Sequence, residues 1–308
     1  MRTALKKIIF LVGPTAIGKT KVACALAKKI KAEIISCDSM QIYRGMDIIT
    51  SKPPPDLRKE VPHHLIDIIS PEHEYNVFQY RTAALKKVKE IIKKGKTPLF
   101  VGGTGLYVSA LVDGIFKQKT ENKIIRQRLY KLAKIKGNQY LYERLKKVDP
   151  QAIEKIHPSD LRRIVRALEV FEVTGQPISE LQKRRSGLWG KHEIKIFCLN
   201  IQRNKLYQRI NHRVEEMFKN GLLSEAKRLL KLRLSQTAYY CIGIRELKGY
   251  FDGRYSLEEA KEQIKKNTRR YAKRQLTWFR KDKRIIWVNI KDKETPKEIA
   301  IRLWKRLS

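Results

Sequence analysis

Near the start of the chain an apolar run leads directly into a turn that contains glycine, lysine and threonine. Residues 8–12 read Ile-Ile-Phe-Leu-Val, and Gly13 is followed by Gly18, Lys19 and Thr20. This is the G-x-x-x-x-G-K-[ST] phosphate loop, with a strand-like run before it and a helix-like segment after it. The N–H groups of such a loop converge on one centre, and the helix dipole favours an anion there. The pattern predicts a diphosphate or triphosphate site. The alternative is a glycine-rich turn with an exposed lysine.

The whole loop is predicted to bind the diphosphate. Lys19 adds a positive charge, and the Thr20 hydroxyl is the predicted protein ligand of a Mg²⁺ ion. The predicted diphosphate-binding residues are Gly13, Pro14, Thr15, Ala16, Ile17, Gly18, Lys19 and Thr20.

The apolar pattern predicts an α/β fold with a parallel, P-loop NTPase-like sheet. Five short apolar runs are typical of buried strands, and helical segments separate them. These runs are residues 8–12, 33–36, 98–101, 194–201 and 284–290. No strand is predicted between 101 and 194, so we expect a helical insertion at 115–190. The core would comprise 1–114 and 191–308.

Three predicted helices carry many arginines. Residues 161–174 place apolar side chains on one face, with Ser159 or Asp160 as the cap and Gly175 at the end. A second helix is expected at about 205–220, with Asn204 as a possible cap. A third is expected over 261–280. In the second helix, Arg209 and Arg213 are i, i+4 neighbours and share one edge of the buried stripe.

The charge of the chain predicts a polyanionic partner. Lys and Arg total 68 against 31 Asp and Glu, a net charge of +37 over 308 residues. Residues 265–281 contain no acidic side chain, so this helix cannot neutralise its own cations through i, i+4 pairs. A nucleic acid backbone would supply the missing negative charge. The alternative is a lysine-rich composition with solvated faces.

Composition also excludes several classes of protein. No apolar run approaches the roughly 18 residues of a membrane span, and the start is too short in apolar residues for a signal peptide. The four cysteines are scattered without a C-x-x-C pair, which is typical of reduced thiols. We therefore expect a monomeric cytoplasmic protein without a membrane partner.

Two further segments offer groups for chemistry at the ends of predicted strands. Asp38 follows the second strand and would lie at the rim of the phosphate loop if that strand neighbours the first. Its carboxylate could hold Mg²⁺ through water, accept a proton from a nucleophile, or cap a turn. The third strand ends in Gly102-Gly103-Thr104-Gly105, which allows close backbone approach and places a hydroxyl in the same crevice. The alternative is a turn into a helix.

His63 and His64 lack metal-site spacing, and we expect them to be structural.

Seven segments together resemble the tRNA dimethylallyltransferase family, also called tRNA isopentenyltransferases, of bacterial type. They span nearly the whole chain in the family's order. Ile49 is a departure, because the family usually has glycine there. The segments are GPTAIGKT (13–20), DSMQIYRGMDI (38–48), HHLIDI (63–68), VGGTGLY (101–107), HPSDLRRIVRALEV (157–170), LYQRINHRVEEMF (206–218) and YAKRQLTWFR (271–280).

The resemblance implies transfer of a dimethylallyl group from dimethylallyl diphosphate to the N6 amine of the adenosine immediately 3′ of the anticodon. By resemblance Asp38 is the general base. Lys19, Thr104 and Arg213, with Mg²⁺ near Thr20, meet the charge of the leaving pyrophosphate. The insertion would grip the anticodon stem-loop of tRNA. The residues that the resemblance and the charge pattern predict at tRNA are Asp38, Ser39, Met40, Gln41, Thr104, Arg126, Arg162, Arg163, Ile164, Val165, Arg166, Tyr240, Cys241, Ile242, Gly243, Ile244, Arg245, Arg270, Lys273 and Arg274.

Three other functions are alternatives. A small-molecule P-loop kinase would use ATP, and an adenylate isopentenyltransferase would modify a free nucleotide. Neither needs the basic helices. An RNA-binding NTPase switch would need an acid on a central strand, for which Asp67 is the candidate.

Overall fold

The computed structural model describes residues 5–116 and 120–307. Its strands are β1 (Lys7–Val12), β2 (Ala32–Cys37), β3 (His63–His64), β4 (Thr97–Gly102), β5 (Glu193–Asn200) and β6 (Ile285–Asn289). Its helices are α1 (Lys19–Lys29), α2 (Pro55–Glu60), α3 (Val77–Lys93), α4 (Gly105–Val112), α5 (Lys123–Val148), α6 (Pro150–Ile153), α7 (Leu161–Thr174), α8 (Ile178–Lys183), α9 (Arg203–Lys219), α10 (Leu222–Leu229), α11 (Gln236–Tyr239), α12 (Ile244–Phe251), α13 (Leu257–Arg280) and α14 (Pro296–Trp304).

Within the described residues, six strands pair in parallel in the order β3-β2-β4-β1-β5-β6. The predicted α/β class with a parallel sheet is confirmed, and the five predicted strands are present. β3 was not predicted as a strand, because its two residues are too few for a periodic pattern. The assumption that the second strand neighbours the first is wrong. β4 lies between them, and its Gly102 pairs with Val12 on one side and Cys37 on the other.

Alternate side chains of the strands enter two separate apolar cores, as expected for a sheet covered on both faces. Ile9 and Leu11 belong to the core that includes α1 and α14, and Ile8 and Phe10 belong to the core that includes α3 and α4. All four cysteines are free and buried. The sheet is therefore covered by apolar packing on both faces, and loops leave it at the carboxyl ends of its strands.

A third apolar core joins the segment after β2 to helices α9–α13. Ile42, Tyr43 and Met46 are fully buried there, against Leu247 and Ile264 among others. Helix α13 begins at Leu257, earlier than predicted, because Ser256 and Glu259 form a capping box.

Helix α9 also begins earlier than predicted, at Arg203 with Gln202 as its N-cap. The predicted cap Asn204 therefore lies inside the first turn, where its side chain accepts a hydrogen bond from the Lys205 amide at 2.8 Å.

The chain divides into two compact units, Met1–Val112 with Leu188–Ser308, and Asp113–Gly187. The second unit contains α5 to α8 around its own apolar core. Its helix α7 covers 161–174 as predicted, with Asp160 accepting from the Arg163 amide and Gly175 ending the helix at φ +69°. Helix α5 is interrupted at Gly137, whose φ is +81°. In the part of the chain described, no helix is both long and apolar enough to span a membrane.

Candidate active site

The phosphate loop connects the end of β1 to the start of α1. Gly13 approaches β5 so closely that a Cβ there would lie 2.9 Å from the Leu199 carbonyl oxygen, so only glycine fits. The Ile17 side chain is buried, whereas the neighbouring backbone faces a cavity. Lys19 begins α1, and its Nζ donates to the carbonyl oxygens of Gly13 at 2.9 Å and Pro14 at 2.7 Å. Without a ligand, the loop's own carbonyls therefore hold this ammonium in place.

Asp38 and Thr104 come together at the ends of adjacent strands. The Thr104 amide donates to the Cys37 carbonyl at 3.2 Å, and the Thr104 hydroxyl accepts from the Ser39 amide at 3.0 Å. Asp38 Oδ1 accepts from the Met40 amide at 2.9 Å, so part of this carboxylate does cap a turn. No described residue donates a hydrogen bond to Oδ2, and Asp38 lines the cavity. One carboxylate oxygen therefore remains available for chemistry.

Arg213 reaches the loop from α9. Its Nε donates to Ser51 Oγ at 2.8 Å, and another guanidinium nitrogen donates to Thr15 Oγ1 at 3.2 Å. Arg209, one turn earlier, donates to the Ile17 carbonyl at 3.3 Å. Burial lowers the pKa of Arg213, and the negative charge of Asp38 acts in the opposite direction. Both arginines of the predicted i, i+4 pair thus contact the phosphate loop.

Lys19, Asp38 and Arg213 line one cavity of about 330 Å³, whereas Thr104 and Arg209 are not among its lining residues. The lining also includes apolar side chains, among them Ala23, Ile34, Leu57, Ile66 and Val101. A cavity lined by both cationic and apolar side chains suits a ligand with an anionic head and a short apolar tail.

Burial and two neighbours set the charge of Lys19. Burial and the positive charge of Arg213 lower its pKa and the negative charge of Asp38 raises it, and the net result is a pKa of about 8. An anion bound in the loop would reverse this effect, because an opposite charge favours the ammonium form.

Two residues of α13 complete the site, and the sequence analysis did not single them out. Gln275 is 5% exposed; its Oε1 accepts from the Thr15 amide at 2.9 Å, and its Nε2 donates to the Gly103 carbonyl at 3.0 Å. It therefore links the phosphate loop to the glycine-rich turn. Burial and the negative charge of Asp38 raise the pKa of Tyr271, which lies one helical turn before Gln275. In the sequence, the glycines of the 102–105 turn were the one indication that another element packs closely there.

The segment 47–51 is held by another residue that the sequence did not indicate. Glu225 is 7% exposed and accepts from the amides of Asp47, Ile48 and Ile49 at 2.9–3.0 Å. Ile49, which replaces the glycine usual in the resembled family, is buried in the third core. The departure is thus accommodated by packing, and Ser51 stays within reach of Arg213.

Asp67 is not placed as a nucleotide-switch acid. It forms ion pairs with Lys52 and Arg58, and it follows the edge strand β3. The Lys52 side chain is 2% exposed and also pairs with Asp47 at 2.7 Å. His63 and His64 contact Val61 and Glu33, and no metal-binding group of three His, Cys, Asp or Glu side chains occurs among the described residues.

The structure narrows the set of predicted tRNA-binding residues. Four of their side chains lie in apolar cores and cannot face RNA: Ile164, Val165, Cys241 and Ile244. Arg126 of α5 pairs with the buried Glu169 of α7 at 3.1 Å and so links the two helices. Arg166 pairs with Glu169 within α7 at 2.8 Å and donates to Thr120.

Other members of that set are exposed. Arg162, Arg163, Arg245, Arg270, Lys273 and Arg274 reach the surface, and the exposed ring of Tyr240 lies under the Arg245 guanidinium, 4.9 Å from its centroid. Gln41 instead spans Ser36 and the backbone of Thr50 and Ser51.

The family profiles and the similar sequences all indicate one family. The profile of a family described as "IPP transferase" matches residues 41–282, and one described as "Isopentenyl transferase" matches residues 6–61. A tRNA dimethylallyltransferase of Carboxydothermus hydrogenoformans is 47% identical over 92% of this chain and 91% of its own. That of Caldanaerobacter subterraneus subsp. tengcongensis is 44% identical over 98% of both chains.

Solved structures agree with the sequence comparisons. The full-length tRNA isopentenylpyrophosphate transferase of Bacillus halodurans is 39% identical and superimposes with a TM-score of 0.73, over 98% of this chain and 95% of that one. A eukaryotic dimethylallyltransferase, described as acting on tRNA, is 30% identical with a TM-score of 0.80, over 93% and 74%. With a family profile that covers most of its length and relatives at this level of identity, the chain belongs to the tRNA dimethylallyltransferase family.

Proposed function

We propose that this protein transfers a dimethylallyl group from dimethylallyl diphosphate to the N6 amine of the adenosine immediately 3′ of the tRNA anticodon. The products would be N6-isopentenyladenosine in tRNA and pyrophosphate. One observation carries the proposal beyond family membership. Residues of the phosphate loop and a carboxylate with a free oxygen line the same cavity, and apolar side chains also line it.

The diphosphate would occupy the cavity beside its cationic lining residues. The Lys19 ammonium, the Arg213 guanidinium and the loop amides other than that of Thr15, which donates to Gln275, would be donors for the charge that develops on pyrophosphate as it leaves. The Thr104 hydroxyl, held by Ser39, would add a neutral donor on the adenine side. The dimethylallyl group would lie against apolar lining residues of the same cavity, which would limit the access of water to the allylic carbon.

Asp38 would act as the general base. The adenine amine is a poor nucleophile because its lone pair is delocalised into the ring, so its proton must leave as the N6–C1 bond forms. The C1–O bond breaks at the same carbon, its electron pair leaves with pyrophosphate, and the N6 proton goes to Asp38. The Met40 amide fixes Oδ1 and orients Oδ2 for this transfer.

The donor set fits a Mg²⁺ ion shared with the substrate. Thr20 lines the cavity and its hydroxyl offers a hard oxygen ligand, whereas the free oxygen of Asp38 is reserved for the N6 proton. The absence of a cluster of three acidic or imidazole groups among the described residues means that diphosphate oxygens and water would supply the remaining ligands. When bound, the ion would neutralise charge on the diphosphate.

The acceptor would arrive on RNA. The adenine must leave its stack to reach Asp38, and base flipping requires a protein surface that holds the surrounding backbone. Exposed cations of α13, among them Arg270, Lys273 and Arg274, have no ion-pair partner among the described residues. The exposed Arg162 and Arg163 would add contacts from the second unit.

A matrix of two donors and two acceptors tests the proposal. The protein is incubated with dimethylallyl diphosphate or ATP, and with unmodified tRNA or AMP. The products are then converted to nucleosides, and the masses of the nucleosides are measured by mass spectrometry. We expect a mass gain of one dimethylallyl group on adenosine only with dimethylallyl diphosphate and tRNA together. Equal prenylation of AMP would indicate an adenylate isopentenyltransferase. Phosphoryl transfer from ATP would indicate a kinase, and RNA-stimulated ATP hydrolysis without group transfer would indicate an NTPase switch.

A further inference from the structure

Glu225 is a buried carboxylate that accepts three hydrogen bonds from backbone amides. It lies in the first turn of α10 and is 7% exposed. Its Oε2 accepts from the amides of Asp47 and Ile48 at 3.0 and 2.9 Å, and its Oε1 accepts from that of Ile49 at 2.9 Å. A charge removed from water needs such donors, so this carboxylate and the backbone of 47–49 fix each other in place.

Helix α10 holds the same segment at a second point. Arg228, three residues after Glu225, donates to the Gly45 carbonyl at 2.7 Å. Gly45 has a φ of +71°, and a Cβ there would lie 3.0 Å from the Arg228 guanidinium. One helix therefore makes four hydrogen bonds to the backbone of residues 45–49.

Backbone hydrogen bonds extend this constraint to Ser51. The Ser51 amide donates to the Ile48 carbonyl at 2.9 Å, and the Lys52 amide donates to the Asp47 carbonyl at 3.0 Å. Ser51 has a φ of +47°, a left-handed conformation that a residue with a side chain keeps only where its surroundings impose it. The position of the Ser51 hydroxyl therefore depends on how the turn at 47–52 is held.

The Ser51 hydroxyl is one of two groups that orient Arg213. Arg213 Nε donates to Ser51 Oγ at 2.8 Å, and another guanidinium nitrogen donates to Thr15 Oγ1 at 3.2 Å. Both acceptors are neutral hydroxyls, so they orient the guanidinium without neutralising its charge. Arg213 and Ser51 both line the cavity. The planar guanidinium binds phosphate oxygens well only in a suitable orientation, which the turn at 47–52 helps to set.

We propose that Glu225 is a positioning residue for the transfer reaction. It fixes the turn at 47–52, the turn places the Ser51 hydroxyl, and that hydroxyl orients Arg213 towards the diphosphate. Glu225 is not among the residues that line the cavity, so it would act without touching the substrate. The inference rests on the proposed function, which places the diphosphate beside Arg213.

The variant E225Q tests this role. A glutamine side chain replaces one acceptor oxygen with an NH₂ group, so at least one of the three backbone amides loses its partner. We expect the Kd for pyrophosphate, measured by calorimetry without tRNA, to rise about ten-fold. The single-turnover rate of prenyl transfer should fall by a similar factor, because a displaced donor stabilises the leaving group poorly. The Kd for tRNA should stay within about two-fold.

Glu246 provides a matched control for loss of stability. It is 4% exposed, accepts from the Gly243 amide at 2.8 Å and from the Asn267 side chain at 2.7 Å, and makes no contact with the turn at 47–52. E246Q therefore also removes a buried carboxylate that binds a backbone amide. We expect it to lower the free energy of unfolding, as E225Q does, but to leave the Kd for pyrophosphate unchanged.

A double-mutant cycle tests the route through Ser51. S51A alters no buried charge, so it provides a test even if E225Q fails to fold, and we expect it to raise the Kd for pyrophosphate. In the S51A background, E225Q should change that Kd by less than about two-fold, because the contact through which it acts is already missing. Additive losses, an unchanged Kd in E225Q or in S51A, or an equal loss in E246Q would overturn the inference.

Prenylation of tRNA by wild type, measured in parallel, separates the two proposals. If wild type prenylates tRNA and E225Q binds pyrophosphate as wild type does, the positioning role alone is refuted. If wild type binds pyrophosphate but does not prenylate tRNA, the proposed function is refuted. A wild type that does not bind pyrophosphate would contradict both.

Discussion

The surroundings of the Lys19 ammonium fix both its position and its pKa. It is held by the carbonyl oxygens of Gly13 and Pro14, while burial and Arg213 favour its neutral form and Asp38 favours the charged form. Burial raises the free energy of the charged form of Lys19, and an anionic diphosphate bound in the loop would offset this increase. Binding of the diphosphate and protonation of Lys19 are therefore coupled.

This coupling predicts that donor affinity depends on pH. The pKa of Lys19 is about 8, and a bound diphosphate would raise it, so Lys19 would take up a proton when the diphosphate binds above pH 8. We expect the affinity for dimethylallyl diphosphate, measured by calorimetry without tRNA, to fall by up to about ten-fold per pH unit between pH 8 and 9.5.

Two variants serve as controls for that titration. K19M should bind the donor weakly and lack the alkaline fall, and K21M removes an exposed lysine beside the same cavity and should keep it. A flat wild-type profile, or the same fall in K19M, would show that Lys19 does not carry the effect.

The residues that the sequence identified are those whose role is encoded locally. Lys19 is fixed by the loop spacing, and Asp38 and Thr104 follow strands whose carboxyl ends meet at one edge. Gln275 and Glu225 act on loops 260 and about 176–178 residues away in the chain, so no local pattern marks them. The sequence analysis treated Arg126 and Arg166 as cations available to RNA. In the structure both pair with Glu169, which is buried where α5 packs on α7.

At the scale of elements, the pairing of strands explains which sequence predictions succeeded. The apolar runs identify strands because a parallel sheet buries both faces, but they do not specify neighbours. The insertion of β4 between β2 and β1 moves Asp38 one strand away from the phosphate loop. It still lines the same cavity, because the register aligns Cys37, Gly102 and Val12 at one edge.

The same sheet contains a buried ion-pair cluster that predicts acid sensitivity. Glu33 is 1% exposed on β2 and bonds His64 of β3 and Lys96 before β4, at 2.7 and 2.8 Å. Burial alone would raise the pKa of Glu33, but hydrogen bonds from Lys96 and His64 outweigh it and lower the pKa to about 2. Because the folded pKa lies below the ordinary value of 4.5, the stabilisation is complete above pH 4.5 and is lost as pH falls towards 2.

We expect E33Q to lower the free energy of unfolding by about 2 kcal/mol at pH 7, measured by urea denaturation. The difference from wild type should shrink at pH 3. E60Q removes the half-exposed partner of Lys28 and should change stability by less than about 0.5 kcal/mol. A deficit in E33Q that stays constant from pH 7 to pH 3 would contradict this account.

At the scale of the whole molecule, the net charge and the fold have different roles. The net charge of +37 attracts a polyanion to the surface at long range, whereas the sheet edge fixes a few groups for chemistry. Composition identifies the partner class but not its contact residues, since several predicted contacts lie in apolar cores or internal ion pairs. The proposed function joins the two, because it pairs a diphosphate donor with an RNA acceptor.

The central claim is that Asp38 activates an adenine amine against a diphosphate ester held by the phosphate loop. Its most direct test is the single-turnover rate of prenyl transfer from dimethylallyl diphosphate to bound tRNA in wild type, D38N and the exposed-site control D56N. We predict that wild type and D56N form prenylated adenosine at the same rate. D38N should lose about two to four orders of magnitude in rate with an unchanged Kd for tRNA. A D38N rate equal to that of wild type, or no prenylated adenosine from wild type, would contradict the account.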